Sequence, residues 1–390
     1  MSLDRKIRYG MVGGGPGAFI GEVHRKAAAL DGEIELVAGA FSSSPEKSKQ
    51  QGEALFLDSD RVYGSYEEMA EKEAQLPEGE RIDFVSVVTP NFLHFPVCKT
   101  FIEKGFNVVC DKPMTMTVEE AEELCRLVEE HDVVFALTHN YTGYPMVKQA
   151  RKLVNDGKLG DIRKIVVEYP QGWLAEAIEQ EGAKQAEWRT DPERAGVSSA
   201  VGDIGSHAEN LVSYITGLEM KELCADINSF VPGRELEDDA NMLVHYENGV
   251  RGVLYASQIS VGEENALTIR VYGTKASLKW EQEQPNYLSV KYMDKPEEVY
   301  KRGNDYLDEV AQHYTRLPFG HPEGFIEAFA NIYLNAARTI AAKIEGKDPS
   351  EFDLDFPTVY DGAKGVHFIH KAIESGKKGS WLDVSYSVEV

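Results

Sequence analysis

The stretch RYGMVGGGPGA, residues 8–18, decides the fold of the first part of this chain. A β-rich run ends in a cluster of glycines, and Gly13, Gly15 and Ala18 match the pattern G-x-G-x-x-A that follows the first strand of a dinucleotide-binding βαβ unit. Glycines at these positions permit a tight turn and let backbone N–H groups approach a pyrophosphate at a helix N-terminus. By itself the cluster fits an ordinary turn equally well, so its interpretation depends on the surrounding pattern.

Short β-rich runs alternate with helical patterns around this loop. Strand-like runs are predicted at residues 8–12, 35–41, 84–88, 107–110 and 133–137. A helix is predicted before the last run, because Thr117 can cap its N-terminus and Glu120 completes a capping box. This order predicts βαβ units and a parallel sheet. The glycine loop then lies at the first strand–helix junction, which favours the dinucleotide interpretation.

The second part of the chain has a different pattern. From about residue 162, apolar residues alternate with period two and tight turns join the runs. Residues 242–246 and 250–257 flank the turn Glu247-Asn248-Gly249, and a second hairpin is predicted at residues 267–280. This part is therefore predicted to contain a largely antiparallel sheet, with helices before and after it.

The charge of the chain excludes several classes of function. Its 390 residues include 41 Lys and Arg against 65 Asp and Glu, a formal net charge of −24, which disfavours binding to nucleic acids and anionic membranes. No apolar run is long enough to span a membrane, and the opening residues contain no signal peptide. The 4 cysteines form no C-x-x-C pair and are predicted to be thiols. We expect a cytoplasmic protein without nucleic-acid or membrane partners.

The end of the second strand leaves the nucleotide specificity open. Dinucleotide folds place an acidic residue there to bind the ribose hydroxyls, but this chain has Phe41-Ser42-Ser43-Ser44-Pro45. The serine hydroxyls, with lysines nearby, can accept a 2′-phosphate. Ser44 is equally well explained as the N-cap of a helix that begins at Pro45. The sequence therefore does not distinguish NAD from NADP.

Two later segments carry candidate chemistry. Thr89-Pro90-Asn91-Phe92-Leu93-His94 and Cys110-Asp111-Lys112-Pro113 each follow a predicted parallel strand, at the edge where such folds bind their ligands. Pro113 biases Lys112 toward an extended conformation, which holds its side chain at the crevice. The alternative is an ordinary solvated lysine in a loop.

A third segment pairs a carboxylate with an imidazole. In GDIGSHAENL, residues 202–211, Asp203 and His207 lie one helical turn apart on the same side. A carboxylate beside an imidazole fixes its tautomer and raises its basicity, as a proton-transfer pair requires. The alternative is a helix-capping Asp203 and a structural histidine. No metal site is expected, since His367 and His370 lack further ligands to complete a set.

The combination of these motifs resembles the glucose–fructose oxidoreductase / inositol dehydrogenase / MocA family. The resemblance rests on the glycine loop, the Thr-Pro-Asn segment with His94, the Asp-Lys-Pro motif, Asn140-Tyr141 and the D-x-G-x-H segment. It continues in GTKASL at residues 273–278, HPEG at 321–324 and the tail at 361–375. Order and spacing agree across nearly the whole chain.

The resemblance implies an α/β protein with two domains. Residues 1–141 are expected to form a Rossmann domain that binds NAD or NADP. Residues 142–390 are expected to form an α/β domain for substrate binding and oligomerisation, whose large, mainly antiparallel open sheet mediates homodimers or homotetramers. The implied reaction oxidises a secondary hydroxyl of a sugar, sugar derivative or cyclitol. Lys112 orients the hydroxyl, His207 takes its proton, and Asp203 contacts the substrate or the base.

The implied site residues fall into two groups. Those expected at the cofactor are Gly13, Gly15, Pro16, Gly17, Ala18, Phe19, Ser42, Ser43, Thr89, Pro90, Asn91, His94, Asp111, Lys112 and Asn140. Those expected at the substrate are Lys112, Asn140, Tyr141, Tyr144, Trp188, Arg189, Asp203, His207 and His321. An aromatic ring with a polar neighbour suits a sugar, although Trp188 followed by Arg189 is also a common packing arrangement.

The sequence departs from the family pattern in three places, and two other functions stay open. Asp111 stands where the motif usually has Glu, Thr142 where Arg is frequent, and residues 19–21 lengthen the glycine loop. One rival function is redox-neutral cleavage of a glycoside through a transient ketone. The other, ranked last because Lys112 and His207 are both present, is a non-catalytic sensor. The acidic composition favours a small neutral substrate over a phosphorylated one.

Overall fold

The computed structural model describes residues 3–388. Its first sheet has five parallel strands in the order β2-β1-β3-β4-β5. These strands are β1 (Ile7–Gly13), β2 (Ile34–Ala40), β3 (Phe84–Val88), β4 (Asn107–Cys110) and β5 (Phe135–Leu137). The predicted parallel sheet is confirmed, and the bounds of β3 and β4 agree with the prediction.

Five helices connect these strands. They are α1 (Phe19–Ala29), α2 (Pro45–Ala54), α3 (Tyr66–Ala74), α4 (His94–Ile102) and α5 (Val118–Glu130). The capping box predicted for α5 is present, since Thr117 Oγ1 accepts from the N–H of Glu120 at 3.2 Å and the Glu120 carboxylate accepts from the N–H of Thr117. Local sequence signals therefore set the start of this helix.

The second sheet has nine strands in the order β13-β12-β11-β10-β6-β9-β8-β7-β14. All its neighbouring strands are antiparallel except β6 and β9. The strands are β6 (Ile162–Pro170), β7 (Met220–Asn228), β8 (Asp239–Tyr246), β9 (Arg251–Ser257), β10 (Thr268–Gly273), β11 (Ala276–Glu281), β12 (Tyr287–Tyr292), β13 (Glu298–Lys301) and β14 (Leu382–Asp383). The mainly antiparallel sheet and both predicted hairpins are confirmed.

The helices of this part are α6 (Pro145–Asn155), α7 (Lys184–Arg189), α8 (Pro192–Ala195), α9 (Ser206–Thr216), α10 (Glu309–His313), α11 (Phe325–Ile344) and α12 (Val359–Lys378). Short 3-10 turns cover Ser59–Arg61, Asn91–Leu93, Asn140–Gly143, Ile178–Glu181 and Glu247–Gly249. A π-helical turn, Val201–Gly205, leads directly into α9. Such turns occur often at functional sites.

Helices from the end of the chain cover both sheets. Tyr333 of α11 packs in one core with Tyr9 and Phe84 of the parallel sheet. Helix α12 contributes Ala363 to the core on the other face of that sheet, and Ala372 to the core under the nine-stranded sheet. The predicted division after residue 141 stays a prediction, because the packing of α11 and α12 joins the two parts of the chain.

The strand order reverses between β1 and β3, so their carboxyl ends open a crevice there. The glycine loop after β1 and the Thr89 loop after β3 border this crevice, and the loop with Lys112 follows the next strand. Within residues 3–388, no helix is long and apolar enough to cross a membrane.

Gly143 determines how α11 packs beside this crevice. A Cβ at Gly143 would overlap the carbonyl oxygen of Ala328 in the first turn of α11. We expect Gly143→Ala to lower the free energy of unfolding by about 1–3 kcal/mol, as overpacking in a core does. Gly79→Ala is the control, since nothing lies within 4 Å of its Cβ position. Urea denaturation of both variants checks this, and equal stabilities would contradict the packing argument.

Candidate active site

The glycine loop has the close approaches that only glycine permits. Gly13 has φ 88°, and a Cβ there would lie 2.8 Å from the carbonyl oxygen of Val88. At Gly15 a Cβ would lie 2.6 Å from the carbonyl oxygen of Phe41. Helix α1 begins at Phe19, so the loop ends at a helix N-terminus with Ala18 as the N-cap residue. This geometry fits a dinucleotide pyrophosphate.

Polar atoms without partners line the same region. The Thr89 hydroxyl and the Asn140 side-chain NH2 are buried and have no hydrogen-bond partner among the described residues. Buried polar groups are nearly always paired, so unpaired ones beside a crevice indicate a missing ligand. Together with the glycine loop, these atoms show that the residues present fit a bound nicotinamide dinucleotide.

His94 ties two loops of the crevice together. Its buried ring places Nε2 2.9 Å from the carbonyl oxygen of Thr89 and Nδ1 2.7 Å from that of Pro113. Burial lowers the pKa of His94. Because both ring nitrogens face main-chain carbonyls, His94 positions the loops that carry Thr89 and Lys112.

The end of β2 carries hydroxyls and no carboxylate, as the sequence predicts. Ser44 Oγ accepts from the N–H of Lys47 at 3.3 Å, so Ser44 caps α2. Ser42 Oγ accepts from the N–H of Ser44, and Ser43 is exposed. These contacts leave Ser42 and Ser43 beside the crevice without an acidic residue to select NAD.

Lys112 is not a solvated loop lysine. Its side chain is 13% exposed, and its Nζ donates to the carboxylate Oδ1 of Asp203 at 2.8 Å and to the Asp203 main-chain carbonyl at 2.6 Å. The main-chain N–H of Lys112 donates to Asp111 Oδ1 at 2.8 Å. The loop after β4 and the π-helical turn before α9 therefore meet through one ion pair.

Asp203 has a full set of partners, and His207 is not among them. Its Oδ2 accepts from Arg189 Nε at 3.1 Å and from Gln258 Nε2 at 2.8 Å. Burial raises the pKa of Asp203, but Arg189 and Lys112 outweigh that effect and hold it well below its ordinary value. Asp203 is also no helix cap, because α9 begins at Ser206 with Gly205 as its N-cap.

Asp203 and His207, the predicted proton-transfer pair, therefore share no hydrogen bond, although the charge of Asp203 raises the pKa of His207. The carboxylate turns toward two cations, whose charges compensate it better than a neutral imidazole can. His207 Nδ1 instead lies 3.4 Å from Nδ1 of His139. The ring of Tyr141 contacts His207 edge to face with centroids 4.7 Å apart. Burial, with the positive charge of Lys112, holds the pKa of His207 well below its ordinary value, so the ring is neutral.

Amide and phenol side chains form a wall beside His207. Tyr169 Oη donates to Asn265 Oδ1 at 2.7 Å, and Asn265 Nδ2 donates to Tyr141 Oη at 3.3 Å. Gln171 Nε2 donates to the same Asn265 oxygen at 2.7 Å. The sequence did not point to five residues of this cluster, which are His139, Tyr169, Gln171, Gln258 and Asn265. Their only local signal is a position at or beyond the end of a strand.

The residues predicted to bind the substrate do not all lie in one cluster. Arg189 lies over the ring of Trp188 at 4.2 Å while bonding Asp203, so this pair joins the cluster. Tyr144 stacks behind Tyr141 and is 2% exposed. His321 is exposed and lines a separate cavity of about 940 Å³ with Phe319, whose lining includes none of the clustered residues. Among residues 3–388, no group of three or more potential ligands could hold a metal.

Comparisons with known proteins agree with this geometry. A family model described as "Oxidoreductase family, NAD-binding Rossmann fold" matches residues 7–141. A second, described as "GFO/IDH/MocA C-terminal domain", matches residues 147–279. The two models together span most of both sheets.

Individual relatives match over nearly their whole length. The chain is 35% identical to the uncharacterized oxidoreductase YfiI of Bacillus subtilis, over 98% of each chain. It is 25% identical to levoglucosan dehydrogenase of Pseudarthrobacter phenanthrenivorans, over 97% of this chain and 98% of the relative. Among solved structures, an inositol dehydrogenase homolog from Azotobacter vinelandii, complexed with NADH and myo-inositol, superimposes with a TM-score of 0.91. It is 35% identical and covers 98% of each chain.

A double-mutant cycle measures the Lys112–Asp203 pair. We expect Asp203→Asn to destabilise the protein by about 3 kcal/mol, because it leaves two buried cations without a counter-charge. Adding Lys112→Met to Asp203→Asn should restore part of the lost stability, because it removes one of the two uncompensated cations. We expect urea denaturation to give a coupling energy of about 1–3 kcal/mol between the two positions. The pKa of Asp203 is lower in the folded state than in the unfolded state. The stability that the ion pair contributes is therefore present above the unfolded-state pKa of Asp203, and it is lost as the pH falls through its folded-state pKa.

The exposed pair of Lys26 and Glu22 provides the control for this cycle, since both side chains are 60% exposed. Its coupling energy should be much smaller than that of the buried pair, because water and salt screen exposed charges. Equal coupling energies for the buried and exposed pairs would contradict a buried, charge-compensated site.

Proposed function

This chain belongs to the GFO/IDH/MocA family of NAD(P)-dependent sugar and cyclitol oxidoreductases, and we propose that it oxidises one secondary hydroxyl of a neutral monosaccharide or cyclitol. The enzyme uses NAD or NADP, which accepts the hydride when bound. The observation that carries the proposal is the cluster of Lys112, Asp203 and His207 beside the crevice of the parallel sheet.

The chemistry of these side chains supports distinct roles. Neutral His207 is able to accept the hydroxyl proton, because its lowered pKa leaves the ring unprotonated at neutral pH. Lys112 Nζ has three N–H donors and uses two on Asp203, so the third is free for the substrate oxygen. Asp203 holds Lys112 in this orientation and compensates its charge.

The charge balance of the site supports a neutral substrate. Lys112 and Arg189 both donate to Asp203, whose carboxylate compensates part of their positive charge and so weakens their attraction for a phosphate group. Trp188, under the Arg189 guanidinium, offers an aromatic face of the kind that packs against sugar rings. The names of the relatives point the same way, since levoglucosan and myo-inositol are both neutral polyhydroxylated rings.

We also propose a cytoplasmic homo-oligomer, a dimer or tetramer formed through the open face of the nine-stranded sheet. On that face Leu243, Val253 and Val166 form an apolar row across β8, β9 and β6, and Leu243 is 53% exposed. A second copy of the chain would cover this row, which monomeric surfaces rarely leave exposed. All four cysteines are free, which supports a reducing compartment.

The oligomer proposal predicts a change in mass for one surface variant. Leu243→Glu should reduce the assembly to monomers, because burying the new charge in an apolar interface is costly. Light scattering after size exclusion measures the mass directly. Phe56→Glu, at a residue 96% exposed outside the sheet, should leave the mass unchanged. A monomeric wild-type protein would contradict the proposal.

The catalytic proposal predicts a separation of binding from turnover. Fluorescence titration with NADH and NADPH identifies the preferred nucleotide. A panel of neutral sugars and cyclitols, including myo-inositol and levoglucosan, is then screened by the absorbance of reduced nicotinamide. With the best substrate, His207→Ala should lower kcat by about 10²- to 10⁴-fold while nucleotide affinity persists.

Three results would overturn this assignment. Wild-type turnover by His207→Ala would remove the proposed base, and failure to bind either nucleotide would remove the cofactor site. Cleavage of a glycoside without accumulation of reduced nucleotide would establish the redox-neutral reaction instead. His131→Ala, at the end of α5 and away from the crevice, serves as the matched control and should keep wild-type kinetics.

A further inference from the structure

Two buried imidazoles face each other beside the proposed reaction centre. His139 is 2% exposed and His207 is 5% exposed, and their rings meet edge to face with centroids 5.2 Å apart. The close contact joins like atoms, Nδ1 of His207 and Nδ1 of His139, at 3.4 Å. His139 follows β5, so it comes from the parallel sheet, whereas His207 comes from α9.

A hydrogen bond between two Nδ1 atoms needs one proton between them, so one ring donates and the other accepts. If His139 donates, neutral His207 carries its own proton on Nε2 and has no lone pair there for a substrate proton. If His207 donates, its Nε2 is unprotonated and is free to act as a base. Base catalysis through Nε2 of His207 therefore requires His139 to be the acceptor.

We infer that His139 is a positioning residue that selects the base-competent tautomer of His207 and receives its Nδ1 proton during turnover. This inference rests on the proposed function. As the substrate O–H bond breaks, its proton forms a bond to Nε2 of His207. The N–H bond at Nδ1 of His207 then breaks and its proton bonds to Nδ1 of His139. The hydride leaves the same carbon for the nicotinamide, so the alcohol becomes a ketone and His139 holds the released proton.

The charges around the pair fit a proton that moves in this direction. Lys112 lowers the pKa of both rings, Asp203 raises that of His207, and Asp111 raises that of His139. Moving the proton thus transfers the positive charge from the Asp203 side, where Lys112 and Arg189 already compensate the carboxylate, toward Asp111.

The other elements packed against the pair contribute no further charge. The phenols of Tyr141 and Tyr169 face His207, and burial raises the pKa of both, so they are neutral. On the α12 side, a Cβ placed on Gly365 would lie 3.9 Å from His139 Nε2, and glycine brings no side chain there. Burial lowers the pKa of His139 to about 3, so the resting ring is neutral and able to accept.

The tautomer is measured directly, without turnover. In protein labelled with ¹⁵N-histidine and saturated with NADH, long-range ¹H–¹⁵N correlation spectra report which ring nitrogen of His207 carries the proton, with His207→Asn giving the assignment. We expect the Nδ1–H form in the wild type and the Nε2–H form, which free imidazole side chains prefer, in His139→Phe. An Nε2–H tautomer in the wild type would overturn the inference whatever the substrate proves to be.

Kinetics separate the positioning role from a purely structural one. We expect His139→Phe to lower kcat by about 10- to 100-fold with little change in KM or in NADH affinity, as loss of a partner that orients a functional histidine does. His139→Asn keeps an acceptor oxygen for the Nδ1–H of His207 but cannot relay a proton, so its kcat should lie between those of wild type and His139→Phe.

The matched control is His131→Asn, which should keep wild-type kcat. Equal kcat values for His139→Asn and His139→Phe would overturn the inference, as would wild-type kcat in His139→Phe. Failure of the proposed function is distinguishable, because it would appear as unchanged turnover in His207→Ala or as absence of nucleotide binding.

Discussion

The ion pair between Lys112 and Asp203 joins the two halves of the site. Lys112 follows a strand of the parallel sheet, and Asp203 lies in the π-helical turn before α9, beneath the nine-stranded sheet. Their side chains are 13% and 15% exposed, so each charge needs the other to offset the cost of leaving water. The pair therefore fixes the loop after β4 against the turn before α9, and Arg189 and Gln258 also donate hydrogen bonds to its carboxylate.

Burial and the same pair together set the protonation of two neighbouring rings. Burial first, and then the positive charge of Lys112, oppose protonation of His139 and His207 and keep both rings neutral. A neutral imidazole beside a cation suits the proposed removal of a hydroxyl proton. Arg189 also forms an ion pair with the Asp203 carboxylate, alongside Lys112. It comes from α7, in the segment before the π-helical turn.

The sequence predicted most of the fold and part of the site. Glycines 13 and 15, the capping box at Thr117 and the turn at Glu247-Asn248-Gly249 act through backbone geometry within a few residues, so their patterns are legible without tertiary contacts. The place of Lys112 in the fold could be predicted, because the carboxyl ends of parallel strands lie at one edge of a sheet. The hydrogen-bond partners of Asp203 could not be predicted, because helical spacing shows which residues share a side and not which distant cation lies closer.

The sequence by itself determined the alternation of strands and helices, the glycine loop and the presence of a lysine, an aspartate and a histidine suited to oxidoreductase chemistry. Only the tertiary structure decided their partners. Lys112 and Asp203 are 91 residues apart, and His139 and His207 are 68 apart. Contacts at such separations are set by how the sheets and helices pack. A buried charge is costly unless an opposite charge compensates it, so a buried carboxylate pairs with the nearest cations. For this reason Asp203 pairs with Lys112 and Arg189, and His207 contacts His139 instead.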